Sequence, residues 1–124
     1  MEKIQTKTHA VSKDENGIIH LEVIEGAHVD TSSIKELHTI YKQLAGNNKM
    51  LLLVNAHVHY TMTGEATEYL KTNLLDKDRL ATAIISTKLG VRITVDSFKT
   101  MLKAKSQVKM FADKQEAMEW LLTF

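Results

Sequence analysis

Two histidines and a threonine follow the most apolar stretch of the chain, and side chains of these types bind metals or proteins. The run Met50–Val54 has the short, branched composition of a strand buried on both faces. His57 and His59 come next, and Thr63-Gly64 opens a helical pattern. A strand–loop–helix corner of this kind lies at the carboxyl edge of a sheet, where open α/β proteins bind ligands or partners. The sequence therefore predicts a functional site in this loop, without naming a reaction.

The histidine pair offers two ligands to a metal. On an extended strand, residues i and i+2 point to one face, as two ligands of one ion must. His28, expected on a neighbouring loop of the same edge, would supply a third imidazole. The chain has six histidines and no cysteine, so a His-x-His pair arises easily and thiolate ligands are excluded. A metalloprotein or enzyme using His57 and His59 is therefore an alternative, and no cofactor is expected.

Acid–base catalysis has few candidates in this sequence. Glu65 and Glu68 lie one turn apart on the predicted second helix and could work with the loop histidines. Glutamates in a first turn, however, also favour the helix dipole with no chemistry implied. No serine or threonine stands beside a base that the sequence identifies. The sequence therefore predicts a non-enzymatic protein.

Strand and helix patterns alternate around this loop. Asn16-Gly17 predicts a tight hairpin turn, which makes the first two strands antiparallel. The remaining order, β-β-α-β-α-β-α-β-α in full, implies right-handed crossovers and parallel strands. The sequence predicts one α/β domain over residues 1–124, with a five-stranded, mixed but mostly parallel sheet and four helices. The predicted strands are Ile4–Ser12, Ile18–Ile24, Lys49–Asn55, Leu80–Ser86 and Val108–Phe111.

Capping residues predict where the helices begin. Asp30 or one of residues 31–33 caps the first, and Ser33-x-x-Glu36 also fits a capping box. Thr63 caps the second, and the third runs from about Leu89 to Lys103. Asp113 caps the last helix.

Composition excludes several classes of protein. The formal net charge of +1 argues against a general nucleic-acid binder. No apolar run approaches the roughly 18 residues that a membrane span needs. The N-terminal stretch is too polar for a signal peptide. A cytoplasmic protein without a transmembrane segment is the expectation.

Three motifs carry a family resemblance over nearly the whole chain. Glu25–Asp30 matches a Gly-x-hydrophobic-Asp turn with one extra residue, and Leu51–Asn55 followed by Thr63–Ala66 matches a core strand and its loop. Phe111–Leu121 matches a Phe-x-(Asp/Ser)-x-x-Glu-Ala-x-x-Trp-Leu ending. With the element order, these stretches resemble the STAS domain of bacterial anti-sigma-factor antagonists. The small, stand-alone SpoIIAA-like (STAS/CRAL-TRIO-like) bacterial proteins are the nearer resemblance.

The resemblance implies a regulatory module that binds a protein partner. In the antagonists an Asp-Ser-Ser-Gly sequence carries a phosphorylatable serine, and alignment on Gly64 puts Thr63 at that position. Here Thr61 and Met62 replace the other residues of that motif, and Asn55 stands where an aspartate commonly ends the strand. Thr63 also fits a plain helix cap. The implied surface is Gly26–Asp30 with His57–Glu68, and its candidate residues are Gly26, His28, Asp30, Asn55, His57, His59, Thr61, Thr63 and Gly64.

Other interpretations stay open. The CRAL-TRIO relatives hold apolar ligands, so a small-molecule or lipid carrier is an alternative that an apolar pocket between the second and third helices would support. A domain this small with edge strands often pairs, so a homodimer is also expected. One face of the third helix is basic and could meet an acidic partner or an anionic membrane, although a solvated face is the favoured reading. Its residues are Lys88, Arg92, Lys99 and Lys103.

Overall fold

The architecture is taken from a computed structural model, which describes residues 3–73, 79–102 and 107–124. Eight strands and four helices occur within these ranges. The strands are β1 (Lys3–Gln5), β2 (His9–Lys13), β3 (Ile18–Val23), β4 (His28–Val29), β5 (Met50–Asn55), β6 (Thr61–Met62), β7 (Arg79–Ile85) and β8 (Gln107–Phe111). The helices are α1 (Thr31–Ala45), α2 (Gly64–Asn73), α3 (Leu89–Leu102) and α4 (Lys114–Leu121).

The main sheet has the strand order β1-β2-β3-β5-β7-β8. β1, β2 and β3 form an antiparallel meander, whereas β3, β5, β7 and β8 run parallel. The prediction of a mixed, mostly parallel sheet with four helices is confirmed. The described part of this sheet has six strands instead of five.

The extra strand arises because the predicted strand Ile4–Ser12 is broken by a turn. The Thr6 hydroxyl accepts hydrogen bonds from the backbone N–H groups of Thr8 (3.2 Å) and His9 (3.0 Å). The Thr6 backbone N–H donates to the His9 carbonyl at 2.8 Å. Side-chain oxygens that bond nearby backbone groups offer an alternative to a strand ladder, and they reverse the chain here.

Helices cover both faces of the main sheet. Side chains alternate along β5, so Leu52 faces the core shared with α1 and α2, and Leu53 faces the core shared with α4. α3 packs on β8, where Val95 and Val108 are buried together. The sheet is therefore a central layer, with α1, α2 and α3 on one side and α4 on the other.

Asp30, the first of the residues predicted to cap the first helix, is its N-cap. The Asp30 carboxylate accepts from the Ser33 N–H at 2.9 Å, and the Asp30 N–H donates to the Ser33 hydroxyl at 3.3 Å. This reciprocal pair is a capping box that uses Ser33 at the position where Glu or Gln is usual. The helix ends at Ala45, and Gly46 follows it with a φ of +59°, which favours glycine.

Candidate functional site

Two loops at the carboxyl edge of the sheet are joined into one surface. The loop after β3 contains β4, the loop after β5 contains β6, and these short strands pair in parallel. The Thr61 N–H donates to the Ala27 carbonyl at 2.9 Å, and the Thr63 N–H donates to the Val29 carbonyl at 3.0 Å. The Gly26 N–H donates to the His59 carbonyl at 2.7 Å. We call residues 26–30 and 57–68 together the carboxyl-edge surface.

The three predicted imidazoles do not converge. His57 and His59 are exposed and lie between β5 and β6, outside any strand, so the strand geometry that would point both imidazoles to one face is not present. His28 is exposed on β4, and its Nδ1 is hydrogen-bonded to the Thr61 hydroxyl at 2.8 Å. Among the residues that the structure describes, no three His, Cys, Asp or Glu side chains are grouped so as to hold a metal ion.

The contact between His28 and Thr61 pairs a hydroxyl with a base, as nucleophilic catalysis requires. Both side chains are exposed to solvent. A reactive pair usually lies in a site from which water can be excluded. The contact therefore serves best as a side-chain link between β4 and β6.

Asn55 and Asp30 shape the backbone of the two loops. The Asn55 side-chain oxygen accepts from the His57 N–H at 3.2 Å, which turns the chain at the end of β5. The Ser33 backbone N–H, and then its hydroxyl, bond the Asp30 carboxylate and lower its pKa. Asp30 is therefore held as an anion beside His28 at the exposed end of α1.

Thr63 caps the second helix, as predicted. Its hydroxyl accepts from the Ala66 N–H at 3.0 Å, and its carbonyl accepts from the Thr67 hydroxyl at 3.1 Å. The side chain is partly exposed, and Gly64, the first helical residue, is exposed. Glu65 and Glu68 also face solvent beyond the cap. A group added to the Thr63 oxygen would therefore stand at the helix N-terminus and at the edge of the surface.

Lys88 belongs to this site and not to a solvated face of α3. Its ammonium group donates a hydrogen bond to the Val58 carbonyl and lies 5.7 Å from the centre of the Tyr60 ring. Burial raises the pKa of the Tyr60 hydroxyl. Arg92 is exposed as predicted, whereas the Lys99 side chain and Lys103 lie outside the described residues. The lysine thus fastens the loop after β5 to the start of α3.

Sequence reasoning missed several buried polar residues behind this surface. His9, Arg79 and Thr82 are each less than 5% exposed. Burial lowers the pKa of His9 to about 4, so its imidazole is neutral near pH 7. Arg79 directly precedes the mostly apolar stretch Leu80–Ile85, and a cation at the start of a buried strand is the signal that could have found it.

The chain belongs to the family described as a domain of unknown function, DUF7793, whose model matches residues 13–124. The fold is SpoIIAA-like. It is similar to the crystal structure of an uncharacterized protein of the DUF3478 family with a SpoIIAA-like fold, from Shewanella loihica PV-4. The TM-score is 0.68 at 15% sequence identity, over 95% of this chain and 98% of that one. No curated protein matches the sequence. None of the described helices is both long enough and apolar enough to cross a membrane.

Proposed function

We propose that this protein is a non-enzymatic, STAS-like regulatory module that binds another protein through the carboxyl-edge surface. The main support is the pairing of β4 with β6, which fixes two separate loops as one exposed patch. Binding residues are often found on loops that a rigid scaffold positions. A patch fixed before a partner arrives also loses less conformational entropy on binding.

The exposed side chains of the patch suit a polar interface. His28, His57 and His59 present imidazoles, and Asp30 presents a carboxylate. None of these side chains contributes to the hydrophobic core, so they are available to a partner without disturbing the fold. Peripheral contacts of this kind set specificity through hydrogen bonds and charge.

Phosphorylation of Thr63 is the proposed regulation. A phosphate brings about −1.5 to −2 charges and three acceptor oxygens. At the start of α2 these oxygens can replace the present cap and accept from the free backbone N–H groups, so the helix tolerates the change. The surface charge of the patch changes at the same time, which alters partner binding. Glu65, adjacent and exposed, would add to the negative charge.

Affinity capture from the native host tests the proposal. The tagged wild type is compared with Thr63→Glu, with Thr63→Ser, and with Thr123→Glu as a control at an exposed threonine on another surface. We expect one specific partner with wild type, Thr63→Ser and Thr123→Glu, and its loss with Thr63→Glu. Thermal unfolding of each variant checks that the fold is intact.

A second pair of variants locates the interface. Replacing both His57 and His59 with alanine should weaken the same partner, whereas replacing the exposed Lys114 on α4 should not. Capture of the same partner at the same level by all folded variants would contradict binding through this surface. Phosphosite mapping of protein from the host then tests Thr63 directly.

A further inference from the structure

A mostly apolar cavity lies between the sheet and three helices. Its volume is about 130 Å³. Side chains of α1, α2 and α3 face it from one side, and β3, β5 and β7 form the other. An apolar pocket between the second and third helices is the observation that would support a small-molecule carrier, and this cavity is bounded by α1 as well. Its apolar lining includes Leu37, Leu52, Val54, Leu70, Ile84 and Val91.

One buried hydroxyl in the wall of this cavity lacks a partner. Thr82 is 3% exposed, and its Oγ1 has no hydrogen-bond partner among the described residues. Buried hydroxyls are ordinarily satisfied by protein or by ordered water. In a mostly apolar wall, this oxygen is a specific point at which a ligand can form a hydrogen bond.

A basic groove adjoins the cavity from outside. It has a volume of about 630 Å³, lies between α1 and α2, and shares His38, Tyr41 and Arg79 with the cavity wall. Lys35 and Lys42 line it, and none of its described lining residues is acidic. The groove therefore favours an anion. Its inner end adjoins the apolar side chains that line the cavity.

A β-bulge directs Arg79 to this junction. Met50 pairs with Arg79 and Leu51 pairs with Ala81, so Leu80 is an extra residue in the ladder. Without it, Arg79 would share the α4 face with Ala81, since alternate residues of a strand share a face. Instead the guanidinium carbon lies 5.7 Å from the centre of the Tyr41 ring, on the α1 side. Bulges re-aim side chains in this way beside binding sites.

We propose that cavity and groove form one site for a small amphipathic carboxylate. Its apolar group fills the cavity, its carboxylate lies at the junction near Arg79 and accepts from the Thr82 hydroxyl, and Lys35 and Lys42 add positive charge at the mouth. A cavity of about 150 Å³ accommodates benzene, so the apolar group has about six carbons. This site does not depend on protein binding at the carboxyl-edge surface.

Titration with hexanoate, followed by two-dimensional amide NMR, tests the site. Hexanoate should saturate the protein and shift the amide signals of residues around the cavity. Acetate lacks the apolar group, 1-hexanol lacks the charge, and decanoate exceeds the cavity volume, so each should bind at least several-fold more weakly. Equal affinities for acetate and hexanoate would mean that the cavity is not used and would overturn the proposal.

Three variants separate the parts of the site. Leu70→Phe fills the cavity and should weaken hexanoate by at least tenfold. Thr82→Val removes the buried donor with little change of shape and should weaken hexanoate about tenfold, the size expected for a hydrogen bond to a charged group. Lys42→Met should weaken hexanoate about two- to fivefold and leave 1-hexanol unchanged.

Lys114→Met, on the opposite side of the sheet, is the matched control for Lys42→Met. Thermal unfolding confirms that each variant is folded before its affinity is compared. Unchanged hexanoate affinity in folded Leu70→Phe and Thr82→Val would overturn the proposal. Loss of hexanoate binding would leave the affinity capture through His57 and His59 unaffected, so the two proposals fail separately.

Discussion

The carboxyl-edge surface and the cavity behind it are built by different means. The surface is held by backbone hydrogen bonds between β4 and β6, so its shape depends little on which side chains it carries. The cavity is shaped by side chains from three helices and the sheet, so single substitutions can fill or enlarge it. The surface can therefore change its residues and keep its form, whereas the cavity cannot.

The largest predicted effects come from replacing two core leucines, one on the cavity side of the sheet and one on the α4 side. Leu52 lines the cavity and Leu53 faces α4, and each is 2% exposed. Replacing either with alanine should lower the free energy of unfolding by about 2–5 kcal/mol, measured by urea denaturation. Only Leu52→Ala should also improve decanoate binding, because it enlarges the cavity. Equal decanoate binding in both variants would contradict the proposed position of the ligand.

Acid should destabilise the cavity side through His9. Burial lowers its pKa from 6.5 to about 4, so the folded protein keeps the imidazole neutral while the unfolded chain protonates. The contribution of His9 to the free energy of unfolding is fully present above pH 6.5 and is lost as the pH falls toward 4. The loss amounts to about 1–2 kcal/mol between pH 6.5 and pH 5. Urea denaturation at both values should show this extra loss in wild type and in His57→Gln but not in His9→Gln. The same pH dependence in all three proteins would exclude His9 as its source.

Two buried threonines should respond with opposite signs. The Thr82 hydroxyl has no hydrogen-bond partner in the part of the chain that the structure describes, whereas the Thr8 hydroxyl is hydrogen-bonded to His9 Nδ1 at 2.6 Å. Without ligand, Thr82→Val should raise the free energy of unfolding by about 1 kcal/mol, and Thr8→Val should lower it by about the same. Destabilisation by both substitutions would indicate that Thr82 has a partner in the unliganded protein.

The smallest effect is expected at the exposed surface. His28 and Thr61 are joined by a solvent-exposed hydrogen bond, while the strands beneath them are joined by the backbone. His28→Ala and Thr61→Ala should each change the free energy of unfolding by less than about 0.5 kcal/mol. A loss above about 1.5 kcal/mol in thermal or urea unfolding would show that side chains, and not the backbone, hold the two loops.

Much of the fold follows from local sequence. The Asn16-Gly17 turn, the caps at Asp30, Thr63 and Asp113, and the apolar run of β5 are short-range signals, and each element that they predict is present. The break between β1 and β2 was missed because it depends on hydrogen bonds of the Thr6 hydroxyl within a segment of strand-like composition. The loose alternation of polar and apolar residues in this segment gives no sign of the break.

The family resemblance implied that residues 26–30 and 57–68 share one surface. The topology agrees, because parallel strands bring the loops that follow them to one edge and β3 lies beside β5. The pairing of β4 with β6 was not predicted, because two-residue strands have no periodicity. The cavity lining was also missed, since the position of Arg79 depends on a bulge at Leu80 and on packing between distant segments.

Hydrogen exchange of three backbone amides tests most directly whether the two loops form one preformed surface. The Gly26, Thr61 and Thr63 N–H groups each donate across the loops. If the surface is preformed, these amides should exchange on the order of a hundredfold or more slowly than in an unfolded chain, in the absence of any partner. Exchange of all three at the unfolded-chain rate would contradict the account, because the loops would then be independent of one another.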